Sequence, residues 1–310
     1  MKLFIITNCS KSKKLEPDEL LKAKGLKTGS LDKVSNEWIS RIHKSHEKLL
    51  PAKDLYSGRS FKEINRIDTQ IQYEWYIVSA GYGFIRSDTL IRSYDLTVTN
   101  SSVNSIIHKI ENLSNLSDWH VELNKKQTDI EFPIAQLIDE NKDSLFLFGL
   151  SKSYYELIKK DLEQIKDRSN LRFFGFEKSA NLNANLKQYF MPYDLRFDGP
   201  DSDNNGIKND FPRRVLRHYV EYILPKIKNP NLKKEQDLVQ EYMSTKREYL
   251  KRNNQRFSDT DLIKKIIELK NDFPNSRKLL TYFRENQVAC AEERFRGLYK
   301  QALNSSEGTK

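Results

Sequence analysis

The chain opens with an apolar run, Leu3-Phe4-Ile5-Ile6, which gives way to a polar stretch, Thr7-Asn8-Cys9-Ser10-Lys11-Ser12-Lys13. The length and β-branched content of the run are those of a buried strand. Three more short runs share this character, Trp75–Ser79, Leu145–Phe148 and Leu171–Phe174, and with Leu3–Thr7 they give four expected strands, each closed by Gly, Ser or Asn. Between them apolar residues recur at helical spacing. Asn36–Leu49 carries Trp38, Ile39, Ile42 and Leu49 on roughly one face, and Phe61–Ile71, Val103–Leu113, Phe132–Asn141 and Tyr154–Lys166 follow the same rule. Strands alternating with helices predict a parallel sheet covered on both faces, with right-handed crossovers. The expected fold class is α/β: a three-layer α/β/α domain with a four-stranded, mainly parallel sheet.

The pattern changes after the fourth strand. Asn181–Asn209 has no apolar period and contains Asp198-Gly199-Pro200-Asp201-Ser202-Asp203-Asn204-Asn205-Gly206, a run of turn formers that predicts a loop. A helix is expected at Pro212–Leu224, with Asp210 as its cap and Pro212 in its first turn. Pro225 and Pro230 then mark a boundary, so the expected domains are 1–225 and 226–310. In the second, 231–253 reads as a charged helix. Three shorter helices follow at Asp259–Lys270, Ser276–Glu285 and Ala289–Leu303, with caps at Ser258 or Asp259 and at Asn275 or Ser276. They make a helix-turn-helix-like bundle with Leu279, Leu280, Phe283, Val288, Phe295, Leu298 and Tyr299 inside. Arg294, Arg296, Lys300 and Gln301 face outward. A helical cap without nucleic-acid contact is the competing reading.

Charge sharpens this division. The chain of 310 residues carries 53 Lys+Arg and 43 Asp+Glu, a net of +10. Residues 226–310 hold 19 of the former and 12 of the latter, so +7 of the net charge lies in the last quarter. Such asymmetry points to a polyanion, most simply nucleic acid. No apolar run approaches the ~20 residues of a membrane span. The first apolar run is shorter than a signal-peptide core and has no small-residue cleavage site after it. Cys9 and Cys290 offer neither a disulfide framework nor a metal-ligand spacing. The expectation is a cytoplasmic protein with no membrane partner, no metal and no cofactor.

Four polar clusters hold the candidate chemistry. Asn8–Lys13 follows the first strand. Ala52-Lys53-Asp54-Leu55-Tyr56-Ser57-Gly58-Arg59 precedes a helix, where backbone amides and Arg59 suit a phosphate. Ser79-Ala80-Gly81-Tyr82-Gly83 follows the second strand and runs on to Asp88 and to Tyr94-Asp95, and Gly149-Leu150-Ser151-Lys152-Ser153-Tyr154-Tyr155 follows the third. In open α/β sheets the loops after the strands meet at one edge, where ligands bind. Away from them, Asp210, Arg214 and His218 fall at i, i+4 and i+8 on one helix face. An internal Arg–carboxylate clamp is the favoured reading there, and a lid or DNA-contacting wall the other.

The motifs Asn8-Cys9-Ser10-Lys11-Ser12-Lys13, Asp54-Leu55-Tyr56-Ser57-Gly58 with Phe61, Ser79-Ala80-Gly81-Tyr82-Gly83, and Ile91 with Tyr94-Asp95 occur in order over roughly residues 1–180. This arrangement resembles a widespread bacterial family of formerly unknown function, a branch of the uracil-DNA-glycosylase-like fold near the accessory domains of archaeosine transglycosylases. The resemblance implies a DNA glycosylase in antiviral defence, which flips a modified base out of phage DNA and leaves an abasic site. Glucosylated hydroxymethylcytosine, the base removed by a phage-defence member, is the implied substrate. The Gly-Gln-Asp-Pro and His-Pro-Ser signatures of ordinary uracil-DNA glycosylases are missing, which argues against uracil.

Breaking an N-glycosidic bond builds positive charge on the sugar, which a carboxylate stabilises. Asp95 and Asp54 are the candidate catalytic residues. Tyr56, Tyr82 and Tyr94 offer rings to stack on a flipped base. Asn8, Cys9, Ser10, Ser79, Gly81 and Ser151 complete the expected substrate pocket; Cys9 is also a candidate nucleophile, though a single Cys after a strand is more often a small buried residue. Lys11, Lys13, Arg59, Lys152, Arg294, Arg296 and Lys300 are the expected DNA contacts. Two other classes remain open: a base transglycosylase of the deazaguanine type, and a nonenzymatic DNA-binding protein.

Overall fold

The computed structural model describes residues 2–175, 182–202, 204, 206–247 and 255–307. Five strands form the main sheet: β1 Leu3–Asn8, β2 Glu74–Ser79, β3 Gly83–Arg86, β4 Leu145–Gly149 and β5 Leu171–Phe174. Their order is β3-β2-β1-β4-β5. β1 pairs in parallel with β2 (Ile5 opposite Trp75) and with β4 (Ile5 opposite Leu147), and β4 pairs in parallel with β5. Successive strand residues face opposite sides of a sheet. Leu3 through Thr7 and Leu145 through Gly149 are all buried, so both faces of the central strands are covered, as a parallel sheet requires.

The sheet has one strand more than expected. Gly83 takes φ +68, a conformation that costs a residue without Cβ little. The chain therefore reverses through Ala80–Tyr82, and β3 pairs antiparallel with β2, Ser79 opposite Gly83. A two-residue ladder, Leu50–Pro51 with Leu90–Ile91, stands apart from this sheet.

The helices depart further from expectation. α1 spans Leu31–Lys44, five residues earlier than expected, because the Ser30 hydroxyl accepts from the Lys33 amide and starts it. It buries Val34, Trp38 and Ile42 at i, i+4 and i+8. α2, Leu116–Thr128, has no counterpart among the expected helices. α3 (Pro133–Glu140), α4 (Lys152–Leu157) and α5 (Lys159–Gln164) match two expected helices, the second broken at Ile158. The buried Asp161 carboxylate caps α3 by accepting from the amides of Ile134 and Ala135 (3.1 and 2.8 Å). The helices expected at 61–71 and 103–113 shrink to single turns, Arg59–Lys62, Ile64–Arg66 and Ile106–His108. α6 spans Phe211–His218 and α7 Leu232–Ser244. The last residues of the helix expected at 231–253 lie outside the described residues, as do Asn181, Asp203 and Asn205 of the expected loop.

The chain divides into Met1–Tyr249 and Leu250–Lys310, not at 225. The reason is a buried ion pair. Arg172, in the middle of β5, and Glu235, on α7, are 1% and 0% exposed, and the guanidinium grips the carboxylate through Nε and Nη2. Tyr219 Oη and the Asn231 amide donate to the same carboxylate (2.7 and 2.8 Å). Val239 and Met243 join the core of the first unit. α7 thus belongs with the sheet, despite its charged sequence.

The second unit holds α8 (Asp259–Leu269), α9 (Ser276–Glu285) and α10 (Glu292–Glu307). Ser258 and Asn275 cap α8 and α9, accepting from the amides of Asp261 and Lys278. The core is Leu262, Ile266, Leu279, Leu280, Phe283, Val288, Phe295, Leu298 and Ala302, with Tyr299 packed beside it. Among the described residues no helix is long and apolar enough to cross a membrane.

Candidate functional site

β1 runs in the middle of the sheet with β2 on one side and β4 on the other, so the chain order reverses beside it. Ligands in open α/β folds bind outside the carboxyl ends of strands at such a reversal. Here those ends carry Cys9, Ser79 and, through α4, Tyr154. The Cys9 amide donates to the Val78 carbonyl (2.9 Å), which continues the β1–β2 ladder into the site.

Four hydroxyls and a thiol form one buried network. Tyr56 Oη, Ser79 Oγ and Tyr94 Oη lie 2.9 Å from one another, a closed triangle of three groups that each donate and accept. The Tyr82 amide donates to Ser79 Oγ at 3.0 Å. Tyr94 Oη extends the network to Cys9 Sγ (3.5 Å), and Tyr154 Oη meets the same sulfur at 3.0 Å. Burial holds the phenols of Tyr56, Tyr94 and Tyr154 well above the usual tyrosine range, so all three are neutral.

Local backbone explains the convergence. Tyr56 arrives on a segment stitched to the β1 loop, where the Lys14 amide donates to the Leu55 carbonyl and the Ser57 amide to the Ser12 carbonyl, both at 2.9 Å. Gly58, at φ +96, turns that segment away again. Gly81 is a packing requirement: a Cβ there would come within 2.8 Å of the Tyr94 ring and 3.1 Å of Trp38. The indoles of Trp38 and Trp119 donate to the carbonyls of Gly81 and Ala80, each at 2.8 Å, and fix the β2–β3 turn.

The expected stacking platforms are therefore not open. Tyr56, Tyr82 and Tyr94 are 2%, 7% and 1% exposed, and their hydroxyls are engaged within the protein. Burial pushes the Tyr82 phenol up to about 12, and its oxygen accepts from the Arg92 amide. These rings build a wall, not a sandwich for a base.

Two cations lie at this edge. Arg213, on α6, is 3% exposed. It donates to the Asn8 carbonyl and to Ser60 Oγ (3.0 Å), packs over the Phe61 ring, and makes no carboxylate ion pair among the described residues. Burial lowers it to about 10, against the opposing pull of Cys9, Tyr154 and the Asp210 carboxylate, so it stays charged at neutral pH. Lys13 Nζ stands 4.1 Å from the Tyr94 ring centroid and 5.7 Å from that of Tyr56. Burial lowers its affinity for a proton, while Cys9 and Asp95 oppose the shift.

The two candidate carboxylates separate. Asp95 is half-buried beside Tyr94, its Oδ2 accepting from the Asn104 side-chain amide at 2.7 Å, and its charge reaches Lys13. Asp54 is exposed on the short helix Ala52–Leu55, whose inward residues are Ala52 and Leu55. Asn8 is a brace: Nδ2 donates to the Cys9 carbonyl (2.9 Å) and Oδ1 accepts from the Ser151 amide (3.1 Å), tying the β1 loop to the β4 loop. Ser10 is half-buried and Lys11 exposed on the first loop. Arg59 pairs with the buried Asp210 (3.1 Å), and Lys152 lies 3.9 Å from Glu156. Arg294 and Arg296 pair with Asp259 and Glu292, both at 2.6 Å, while Lys300 is exposed.

The Asp210–Arg214–His218 face is an internal clamp, not a DNA-contacting wall. Arg214, 2% exposed, meets Asp210 at 2.6 Å and Asp198 at 2.7 Å, and donates to the Asn204 and Ile207 carbonyls. It thereby holds the turn-rich segment in place. His218 takes part in neither ion pair. Its Nδ1 bonds Tyr193 Oη (2.8 Å), and it stacks on Tyr222.

Arg213 is not among the expected site residues, and Tyr154 enters only as a member of the cluster after the third expected strand, with no role of its own. The signal for the arginine is present in Phe211-Pro212-Arg213-Arg214. Adjacent helical residues point about 100° apart, so one arginine closes the clamp and the other reaches the sheet edge.

Residues 38–170 match a family of unknown function (DUF6884), a span that includes Tyr56, Ser79, Tyr94, Asp95 and Tyr154 but not Cys9, Lys13 or Arg213. No curated protein and no solved structure matches the chain.

Proposed function

We propose that the protein is a DNA N-glycosylase, acting in the cytoplasm on a modified base of invading phage DNA and leaving an abasic site. The observation that carries this reading is the buried Arg213 at the carboxyl edge of β1, which makes no direct carboxylate ion pair among the described residues and feels Asp210 only at longer range. Holding such a charge in a low-dielectric site is costly unless an anion completes it. Cleavage of an N-glycosidic bond supplies one, because the base departs with the bonding electron pair while the sugar becomes cationic. Arg213 then faces the departing base, and the Asp95 carboxylate, oriented by Asn104, steadies the sugar. The basic second unit supplies phosphate contacts: residues 250–310 hold 13 Lys+Arg against 8 Asp+Glu. The glucosylated base rests on the family resemblance and not on the geometry.

The test is base release from glucosylated and unmodified DNA, read as alkali-labile sites. Wild type releases the modified base. Asp95→Asn loses on the order of a hundred-fold or more in rate, with DNA affinity retained, whereas Asp54→Asn turns over like wild type. Absence of release from any modified DNA overturns the proposal, and full activity of Asp95→Asn removes that carboxylate from the mechanism. A nonenzymatic DNA-binding protein is the second reading, favoured by the closed hydroxyl triangle. It binds DNA and releases nothing.

A further inference from the structure

Lys13 differs from every other cation of the site. It is drawn inward by an antiparallel bridge to Tyr56, and its ammonium group lies against the Tyr94 ring. Its hydrogen-bond partners are the carbonyls of Ser10 and Lys11, at 3.4 and 3.5 Å, the long limit of such bonds. It makes no carboxylate ion pair among the described residues. Nζ is therefore held only by two long hydrogen bonds and the Tyr94 ring, not by a carboxylate at contact distance. The charged and titratable groups felt at Nζ are Cys9, Asp95 and Lys11: burial, helped by Lys11, lowers its affinity for a proton, and Cys9 and Asp95 oppose that shift. Arg213 has no comparable freedom, since a guanidinium does not give up its proton in a protein. A desolvated lysine amine within the electrostatic reach of a carboxylate, here Asp95, is the equipment for imine chemistry with a carbonyl compound.

We propose that Lys13 is an amine nucleophile that captures the aldehyde of an abasic deoxyribose, giving the protein a strand-cutting lyase activity in addition to base removal. The origin of that aldehyde in the protein's own reaction rests on the glycosylase reading. The Lys13 lone pair attacks C1′ of the ring-opened sugar, and the carbinolamine loses water to give an iminium. The C2′ proton passes to a base, for which Asp95 is the carboxylate whose charge reaches Lys13. The C2′–H electrons form a C=C bond, the C3′–O bond breaks, and the 3′ phosphate leaves with that electron pair. Water then hydrolyses the conjugated iminium, returning the amine and releasing an unsaturated aldehyde on the 5′ fragment. No redox partner is needed.

The experiment uses the full chain and an end-labelled oligonucleotide carrying one preformed abasic site, so that base removal is bypassed. Borohydride reduces an iminium to a stable amine, which links protein to DNA. The expected result is strand cleavage without borohydride, a covalent adduct with it, and peptide mapping of the adduct to Lys13. Lys13→Arg, which keeps the charge, loses both cleavage and adduct. An adduct mapped to Met1 or to exposed lysines, unchanged cleavage by Lys13→Arg, or no adduct at all overturns the proposal. Mapping of the wild-type adduct decides the matter even if the variant fails to fold. Failure here with base release intact marks a glycosylase without lyase activity. Adduct formation without base release overturns the glycosylase reading alone.

Discussion

Glu235→Ala is the sharpest test of how α7 is held. The Glu235 carboxylate accepts from four donors: Arg172 Nε, Arg172 Nη2 at 2.9 Å, Tyr219 Oη at 2.7 Å and the Asn231 amide at 2.8 Å. Arg172 also donates to the Ser169 and Leu171 carbonyls, so it cannot swing out to water without breaking further bonds. Truncation leaves a buried guanidinium uncompensated, which costs about 3–5 kcal/mol. With a urea slope of roughly 1–3 kcal/mol/M, the unfolding midpoint of the first unit falls by about 1 M or more. Replacing both partners with apolar residues, Arg172→Met with Glu235→Leu, recovers most of that stability, because neither charge is then stranded. The assay is equilibrium urea unfolding followed by near-ultraviolet circular dichroism, with peptide-resolved hydrogen exchange over 232–244. A Glu235→Ala midpoint within error of wild type refutes the reasoning, and with it the assignment of α7 to the first unit.

Three further outcomes are expected. Burial, with the nearby charges of Lys226, Lys246 and Arg217, lowers the His218 imidazole to about 4, whereas the unfolded chain takes up the proton near 6.5. The native state therefore loses on the order of 3 kcal/mol as pH falls from 6.5 to 4. His218→Phe flattens stability over that window, and an unchanged slope would show that another group sets it. Gly83→Ala combines a positive φ with a Cβ driven into the Asn124 side chain, which already accepts from the Phe84 amide. The melting temperature drops by an amount equivalent to about 2 kcal/mol or more, and a wild-type melting curve contradicts the strain argument. Neutralising Arg294, Arg296 and Lys300 together lowers the slope of log DNA affinity against log salt by roughly 0.9 for each duplex phosphate that is no longer neutralised. Coincident slopes make the second unit a cap.

The strands are legible because their apolar runs end abruptly in polar residues, and four of the five lie within a residue of expectation. β3 is not, since Gly83-Phe84-Ile85-Arg86 is short and grades from buried to exposed. α2 is hidden for a different reason. Three of its five buried residues, Ser117, His120 and Asn124, are polar, and it is placed by tertiary bonds such as Asn124 to the Phe84 amide. Periodicity has no means of finding such a face. The site loops can be found because topology alone sends them to one edge, but exposure within a loop turns on single residues: Asp54 points outward where Leu55 and Tyr56 point in. Residue type alone makes the tyrosines look like ligand platforms. Their mutual hydrogen bonds depend on distances that only the folded chain supplies.

The two indoles that fasten the β2–β3 turn also endow the molecule with its own optical reporter. The chain has three tryptophans, Trp38, Trp75 and Trp119, and all lie in the first unit. Each donates its indole N–H inside the protein, to Gly81, Thr7 and Ala80 respectively. Emission excited near the red edge of the indole band therefore arises only from residues wired to the carboxyl edge of the sheet. A ligand that shifts the Ala80–Gly81 carbonyls changes that emission without any added label. Melting of Leu250–Lys310, which contains tyrosine but no tryptophan, passes unseen at the same wavelength.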